Sequence, residues 1–487
     1  MYTAVCDLNY NKKNKLKPDI AITPTYTDLY QLTMGQVYYR SGDYRHDAAF
    51  DYFFRKLPYS GGYVVFAGIE DVLELISEFR FSQEDLEYLR SIGFDRGYVD
   101  HLASFRFGGT IHSVSEGEVI FPNVPAIRVE GTILEAQLIE TVLLNLINFQ
   151  SLIATKAARM KQVAGDRVLL DFGLRRAQGL GGYHASRACA IGGFQATSNV
   201  MAARDFDIRS SGTMAHSFIQ HYDDELTAFR SFADGRPENC VLLVDTYNTL
   251  KSGVPNAITV AKEMEARGHR LEGIRLDSGD LAYLARHARQ LLDSAGLQYV
   301  KIAASNQLDE YVIKSLLEQG APIDVFGVGT NLVTGQPDAA LDGVYKLCYS
   351  NGKPRIKLSE SLSKTTLPHK KQVYRVFDNE GFFLGADAVC LEGESEIAMM
   401  HHPIDPGKSM SLKGLKKETL LKPVMLGGRM TTGKKSLTEM AAYARERLAL
   451  LPPEYKRFQN PHTYKVGISD ALQDLRNDLR DKYLQRS

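Results

Sequence analysis

A rhythm in the middle of the chain constrains the fold most. Short apolar runs start at 241, 271, 299 and 323: VLLVD, LEGIRLD, YVKIAAS and IDVFGVG. A fifth, VLLDF, occupies 168–172. Between the later four lie helical patterns: AITVAKEMEARG, DLAYLARHARQLLDSAG and LDEYVIKSLLEQG. Each ends in Gly, which stops a helix by taking left-handed backbone without steric strain. Alternation at this spacing calls for parallel strands, because a parallel neighbour is reached only by a long crossover. A closed β/α barrel and an open doubly wound sheet both satisfy the pattern. No Gly-x-Gly-x-x-Gly follows a strand and opens a helix, so a dinucleotide-binding sheet is the weaker choice.

The flanks read differently. Residues 1–22 are expected to be a flexible lead-in. DAAFDYFFRKLP and GEVIFPNVPAIRVEG read as strands, with GIEDVLELISEF between them as an amphipathic helix. The segment from 131 to 163 places Leu134, Leu138, Val142, Leu146, Phe149 and Ile153 three or four apart. This predicts a long helix, broken once and buried on more than one side. KQVYRVFDNEGFFLGADAVCL predicts a hairpin around Asn379-Glu380-Gly381, placed to complete the first domain's sheet. The expected organisation is an α+β sandwich domain (23–150 plus 345–400), an inserted barrel (151–344) and a basic C-terminal extension (401–487). GISDALQDLRNDLRDKYLQ in that extension reads as a surface helix.

Charge and cysteine content narrow the class. Lys+Arg and Asp+Glu are equal at 58 each, which argues against a nucleic-acid partner. The balance is uneven: residues 401–487 hold 17 basic and 9 acidic side chains. Five scattered cysteines without a Cys-x-x-Cys pair fit a reducing compartment and no zinc cluster. The N-terminus has no apolar signal region, and no apolar run reaches the ~18 residues of a membrane span. A cytoplasmic protein with no membrane partner is the expectation.

Barrel chemistry sits at the C-terminal ends of the strands. Those ends read Asp171-Phe172-Gly173-Leu174-Arg175-Arg176, Asp245-Thr246, Asp277-Ser278-Gly279-Asp280, Ser305-Asn306 and Gly327-Val328-Gly329-Thr330-Asn331. Such turns are commonly polar because Gly, Asp, Ser and Asn cap helices. Five together, carrying Arg175, Arg275, Asp245 and Asp277, suit phosphate handling. The glycine-rich turn offers backbone N–H groups, each Arg can clamp an anion in bidentate fashion, and the two Asp suit Mg²⁺. Thr213 and His216, three apart after a Gly, put a hydroxyl and an imidazole within reach of one anion; a capping turn with a satisfied histidine is the bland alternative.

These segments, in order with Thr27-Asp28-Leu29-Tyr30-Gln31-Leu32-Thr33-Met34 and Gly212-Thr213-Met214-Ala215-His216, resemble the nicotinate phosphoribosyltransferase family. The likeness covers about 20–400, including Gly343-Val344-Tyr345-Lys346 and Lys371-Gln372-Val373-Tyr374-Arg375; His369 stands where a Gly is expected. The resemblance implies a type II phosphoribosyltransferase β/α barrel with an added α+β sandwich domain. It implies that nicotinate and 5-phosphoribosyl 1-diphosphate give nicotinate mononucleotide and diphosphate in NAD biosynthesis, with ATP hydrolysis as in a ligase. His216 is then the transiently phosphorylated histidine, and Arg275 and Asp277 act beside it. Tyr30, Phe172, Thr213 and Arg275 fall at nicotinate positions. Ser305, Asn306, Gly329 and Thr330 fall at ribose-phosphate positions. Asp245 and Asp277 face Mg²⁺ and diphosphate, and Arg175 joins the cationic lining with Lys346. The family implies a homodimer in which Asp28 and Tyr30 reach the partner's site. A nicotinamide-using enzyme is the nearest rival, but Phe194-Gln195-Ala196-Thr197-Ser198 carries no acid to accept an amide N–H. A non-catalytic phosphoribosyl-binding barrel is the other alternative.

Overall fold

The computed structural model describes residues 22–359, 365–405, 407–431 and 433–484, so the expected lead-in lies outside it except for Ile22. The β/α rhythm becomes a seven-stranded sheet. Its strand order is Arg209–Ser210, Ala196–Thr197, Val168–Asp171, Val325–Val328, Lys301–Ser305, Gly273–Leu276, Val241–Leu243. Every adjacent pair is parallel. The two outermost strands do not pair with each other, so the sheet curls into a β/α barrel left open on one side. The crossover helices Val254–Ala266, Leu281–Ser294 and Glu310–Glu318 stop as the glycines predict: Gly268 and Gly296 take φ of +81° and +73°. Their inner faces put Ala257, Val260, Ala285, Leu292 and Ile313 into the core.

Parallel register fixes where the polar ends meet. Gly327 lies opposite both Ser305 and Leu170, and Val328 lies opposite Asp171. Arg275 lies opposite Ala303 on one side and Leu243 on the other. The turns after these strands therefore leave the sheet at one edge.

The long helix is broken once, at Ile139, between Ile133–Leu138 and Glu140–Ala164. The second part buries residues on several sides, including Lys156 and Arg159, whose cations both pair with the fully buried Glu310 of a barrel helix. A paired and hydrogen-bonded cation is the form in which such groups tolerate burial.

A seven-stranded antiparallel sheet packs beside the barrel. Its order is Lys353–Pro354, Gly343–Ser350, Asp47–Phe54, Ile127–Thr132, Thr110–Ser113, Lys422–Leu426, Arg429–Met430. The predicted hairpin forms, with Lys371–Phe377 against Phe383–Leu391, but it does not complete that sheet. It enters a third, six-stranded sheet with Lys417–Thr419, Lys465–Ile468, Met399–His401 and Ser409–Ser411. The reason lies in its partners: Lys465–Ile468 runs parallel to Phe383–Leu391, and such a non-local pairing leaves no mark near the hairpin. Residues after 400 thus supply strands to both the antiparallel and the mixed sheet. Arg375 ties the layers together. Fully buried, it donates to Asp387 through Nε and Nη2 (3.0 and 2.8 Å) and pairs with Glu118, which also accepts from Arg447 at 2.9 Å. The surface helix expected near the end spans Asp470–Leu484. His369 has φ of +66°, the left-handed backbone that explains the Gly expected there.

Candidate active site

A cavity of about 400 Å³ opens at the C-terminal edge of the barrel sheet. Of the residues singled out above, Phe172, Arg175, Thr213, His216, Arg275, Asp277, Ser305, Asn306, Gly329 and Thr330 line it. Arg176, at the end of the first of those strand ends, lines it as well, as do Ser198 and Gln307, whose types carry no signal in the sequence. Asp28, Tyr30 and Asp245 do not line it, and Lys346 borders a different cavity.

Each lining side chain is held for a reason. Arg275 points off the end of a barrel strand; its Nη1 donates to Thr213 Oγ1 at 2.5 Å and to the Met214 carbonyl at 3.3 Å. Its Nε is buried and unpaired, a donor left for a ligand. Burial pulls its pKa down, while Asp277 and Asp245 push it back up. Asp277 accepts a short hydrogen bond from Ser305 Oγ, and its other oxygen lies 3.8 Å from His216 Nε2. The opposite ring nitrogen of His216, Nδ1, shares a 3.0 Å hydrogen bond with Thr246 Oγ1. Thr246 therefore sets the ring plane, a role hidden in the sequence because a Thr in a βα turn reads as a cap.

Asp245 works behind the wall. Its Oδ2 accepts from the Asp277 backbone N–H at 2.9 Å and from Ser278 Oγ at 2.5 Å, which fixes the turn that carries Asp277. Its Oδ1 is buried with no partner. Asp171 does the same for Phe172. Fully buried, it accepts from the Gly173 N–H at 2.8 Å, Ser186 Oγ at 2.7 Å and Thr197 Oγ1 at 2.8 Å. Burial raises its pKa despite these donors. The ring of Phe172 lies along Gly327, and the guanidinium carbon of Arg275 stands 5.9 Å from its centre. Consecutive Asn306 and Gln307 take φ of +85° and +51°, backbone that non-glycine residues rarely adopt and that clusters at functional sites. Asn331 Nδ2 braces this bend by donating to the carbonyls of Gln307 and Leu308.

The result is a cationic floor (Arg175, Arg176, Arg275) with one carboxylate, a histidine and one aromatic wall. Such a floor binds phosphate or carboxylate oxygens in bidentate fashion. The free Asp277 oxygen and the unpaired Asp245 Oδ1 are hard donors of the kind Mg²⁺ takes. A second grouping of possible metal ligands, His112, Glu130 and Glu392, does not suit a cation. The buried Arg128 guanidinium sits among all three and Lys370 pairs with Glu130 at 2.6 Å, so the carboxylates are already neutralised.

The outlying residues group elsewhere. Asp28 stands at the N-terminal boundary of Leu29–Ser41 without a side-chain capping bond, and that helix exposes Leu29, Tyr30, Met34 and Val37. Burial and the charges of Glu140 and Asp28 raise the pKa of Tyr30. No helix among the described residues is long and apolar enough to cross a membrane.

Comparison with known proteins agrees with this geometry. The N-terminal-domain profile of nicotinate phosphoribosyltransferase matches residues 25–148, the family profile 168–381 and the C-terminal-domain profile 370–476. Nicotinate phosphoribosyltransferase of Bacillus subtilis is 44% identical over 455 residues, covering 91% of this chain and 92% of the relative. That of Dictyostelium discoideum is 37% identical over 529 residues, covering 96% and 90%. The crystal structure of human nicotinic acid phosphoribosyltransferase superposes with a TM-score of 0.84 at 32% identity, covering 93% of this chain and 99% of the human one. On sequence and fold alike, the chain belongs to the nicotinate phosphoribosyltransferase family.

Proposed function

We propose that the barrel-edge cavity transfers phosphoribose from 5-phosphoribosyl 1-diphosphate to nicotinate, releasing diphosphate, with ATP as co-substrate. The observation that carries this reading is the Arg275 group: a partly buried guanidinium beside Phe172, with an unpaired Nε and with Thr213 and Asp277 around it. A flat ring bearing a carboxylate satisfies all of these groups at once, the ring against Phe172 and the carboxylate on Arg275. Nicotinamide would bring no anion to the unpaired Nε.

In the transfer, the pyridine nitrogen attacks C1 of the ribose while the C1–O bond breaks and its electron pair leaves with diphosphate. The protein's part is placement and charge stabilisation. Arg175 and the Gly327–Thr330 turn bind phosphate oxygens, and Ser305 and Asn306 fix the ribose end. Mg²⁺, held by Asp277 with the free Asp245 oxygen in reserve, would neutralise the departing diphosphate.

His216 accepts a phosphoryl group from ATP: a ring nitrogen attacks the γ-phosphorus, the bond to the ADP oxygen breaks, and the phosphoryl group later passes to water. The added charge of about −1.5 to −2 beside Asp277 and Arg275 would shift their pairing and so couple ATP to substrate affinity. Two chains form each pair of sites, the exposed face of helix Leu29–Ser41 delivering Asp28 and Tyr30 to the partner's cavity.

Release of diphosphate from the three substrates with Mg²⁺ tests the reaction, with nicotinamide in competition. Preference for nicotinamide would overturn the substrate assignment. His216→Ala should retain slow transfer and lose ATP stimulation; full stimulation in that variant would remove the histidine from the coupling.

A further inference from the structure

A second cavity, of about 950 Å³, exceeds the one at the barrel edge in volume. It lies where the sheet containing Asp47–Phe54 meets the one containing Lys465–Ile468. Its lining is rich in cations: Lys346, Lys408, Lys465 and Arg476, with His402 and His462 beside them. Its one carboxylate, Asp51, is already bound to the buried Lys371 at 2.7 Å.

Of the four lining cations other than Lys371, three have no carboxylate salt-bridge partner among the described residues. Lys346 donates only to the Tyr345 carbonyl at 2.9 Å. Arg476 donates to the Pro403 carbonyl, and Lys465 makes no side-chain bond. Lys408 alone is paired, with the exposed Asp405 at 3.0 Å. Burial depresses both Lys346 and Arg476, and Arg480 depresses Arg476 further. Glu140 partly offsets this at Lys346, but half-buried Arg476 faces no carboxylate, which is unfavourable unless an anion visits it. His402 adds a donor: its Nδ1 accepts the N–H groups of Ile404 and Asp405, so its proton sits on Nε2. Phe53, Met400 and Tyr464 supply an apolar wall of the size that takes a flat ring.

We propose that this cavity is a second ligand site, for a phosphate-bearing anion of nucleotide size, separate from the barrel-edge site. The phosphates lie on Lys465, Arg476 and Lys408, and the base lies on the apolar wall. The site also gives a use to the basic excess of residues 401–487, which supply three of its five lysines and arginines.

Calorimetry on the full chain with ADP, and separately with tripolyphosphate, tests this. Wild type should bind ADP in two classes. Arg275→Ala should remove one class and leave the other. Lys465→Glu should weaken that other class by at least about tenfold while the KM values of the transfer reaction stay unchanged. Lys465→Gln serves as the milder variant should the charge reversal disturb folding, with a smaller loss in the same class. A single class abolished by Arg275→Ala would overturn the proposal and make the cavity a wall of the catalytic site of a neighbouring copy. Two classes untouched by either Lys465 variant would overturn it too. Equal affinity for tripolyphosphate and ADP would refute the nucleotide assignment, because the apolar wall would then contribute nothing. These outcomes do not depend on which base the catalytic site accepts.

Discussion

Gly327 is the position where one methyl group asks the clearest question of the catalytic cavity. It sits in the strand Val325–Val328 with ordinary extended backbone, so alanine brings no conformational strain there. A Cβ at 327 would lie 2.4 Å from Cε2 and 2.5 Å from Cδ2 of Phe172. Carbon atoms settle at about 3.5 Å or more, so the ring must retreat by about 1 Å. Phe172 leads into a turn fixed by the Asp171 carboxylate, so the ring rather than the backbone is the part free to move. An aromatic wall that stacks a base contributes about 1–3 kcal/mol. Losing about half of that predicts a rise in KM for nicotinate of roughly 2- to 12-fold, from about 1.4 kcal/mol per factor of ten. The kcat should change less, since the cationic floor is untouched. Steady-state kinetics of Gly327→Ala, Phe172→Ala and the double variant form a cycle. The double variant should be no worse than Phe172→Ala alone, because the methyl group then has nothing to displace. An unchanged KM in Gly327→Ala, or fully additive losses in the double variant, would refute the reasoning.

Under the proposed shared-site dimer, Tyr30→Ala and Arg275→Ala chains, each weak alone, should regain activity when refolded together, because a mixed dimer would keep one intact site; no recovery would place Tyr30 outside the partner's cavity. Arg375→Met should cost about 3–5 kcal/mol by stranding the buried Asp387 carboxylate, read as a lower denaturation midpoint, while Arg375→Met with Asp387→Leu recovers part of the loss. Glu70 has its pKa raised to about 7 by burial and by the neighbouring Glu116, from 4.5. The folded state therefore holds this proton after the unfolded chain has lost it. Its contribution to stability is complete below about pH 4.5, falls as pH rises, and levels off above about 7. Glu70→Gln should flatten that slope in denaturation midpoints measured between those two values.

Sequence and structure agree where the signal is local. VLLDF, LEGIRLD and IDVFGVG become strands within a residue or two because each apolar run is bounded by a polar turn. The two shortest strands of the barrel sheet, Ala196–Thr197 and Arg209–Ser210, leave no trace in the sequence because two residues carry no period. Parallel register explains why ten of the site residues converge: the strand ends that read as polar are the ends that the sheet brings together. Contacts between distant segments stayed hidden. Nothing around the 371–391 hairpin announces Lys465–Ile468 as its neighbour, and nothing around His216 announces Thr246. Asp245 looked like a metal ligand by type, yet one of its oxygens holds the turn before Asp277.

The antiparallel sheet beside the barrel has a history written into its strand order. Asp47–Phe54 takes Gly343–Ser350 as its neighbour, and Thr110–Ser113 takes Lys422–Leu426. During synthesis, the early strand leaves the ribosome about 300 residues before its mate, a wait of roughly 15–60 s at 5–20 residues per second. In that interval its edge is unpaired and open to other chains. The barrel strands, contiguous from 168 to 328, are all made within the same interval. Birth order thus asks the middle of this protein to fold before its beginning can finish. A stalled or truncated chain ending before 343 should consequently be a chaperone client, with its aggregation seeded at residues 47–54.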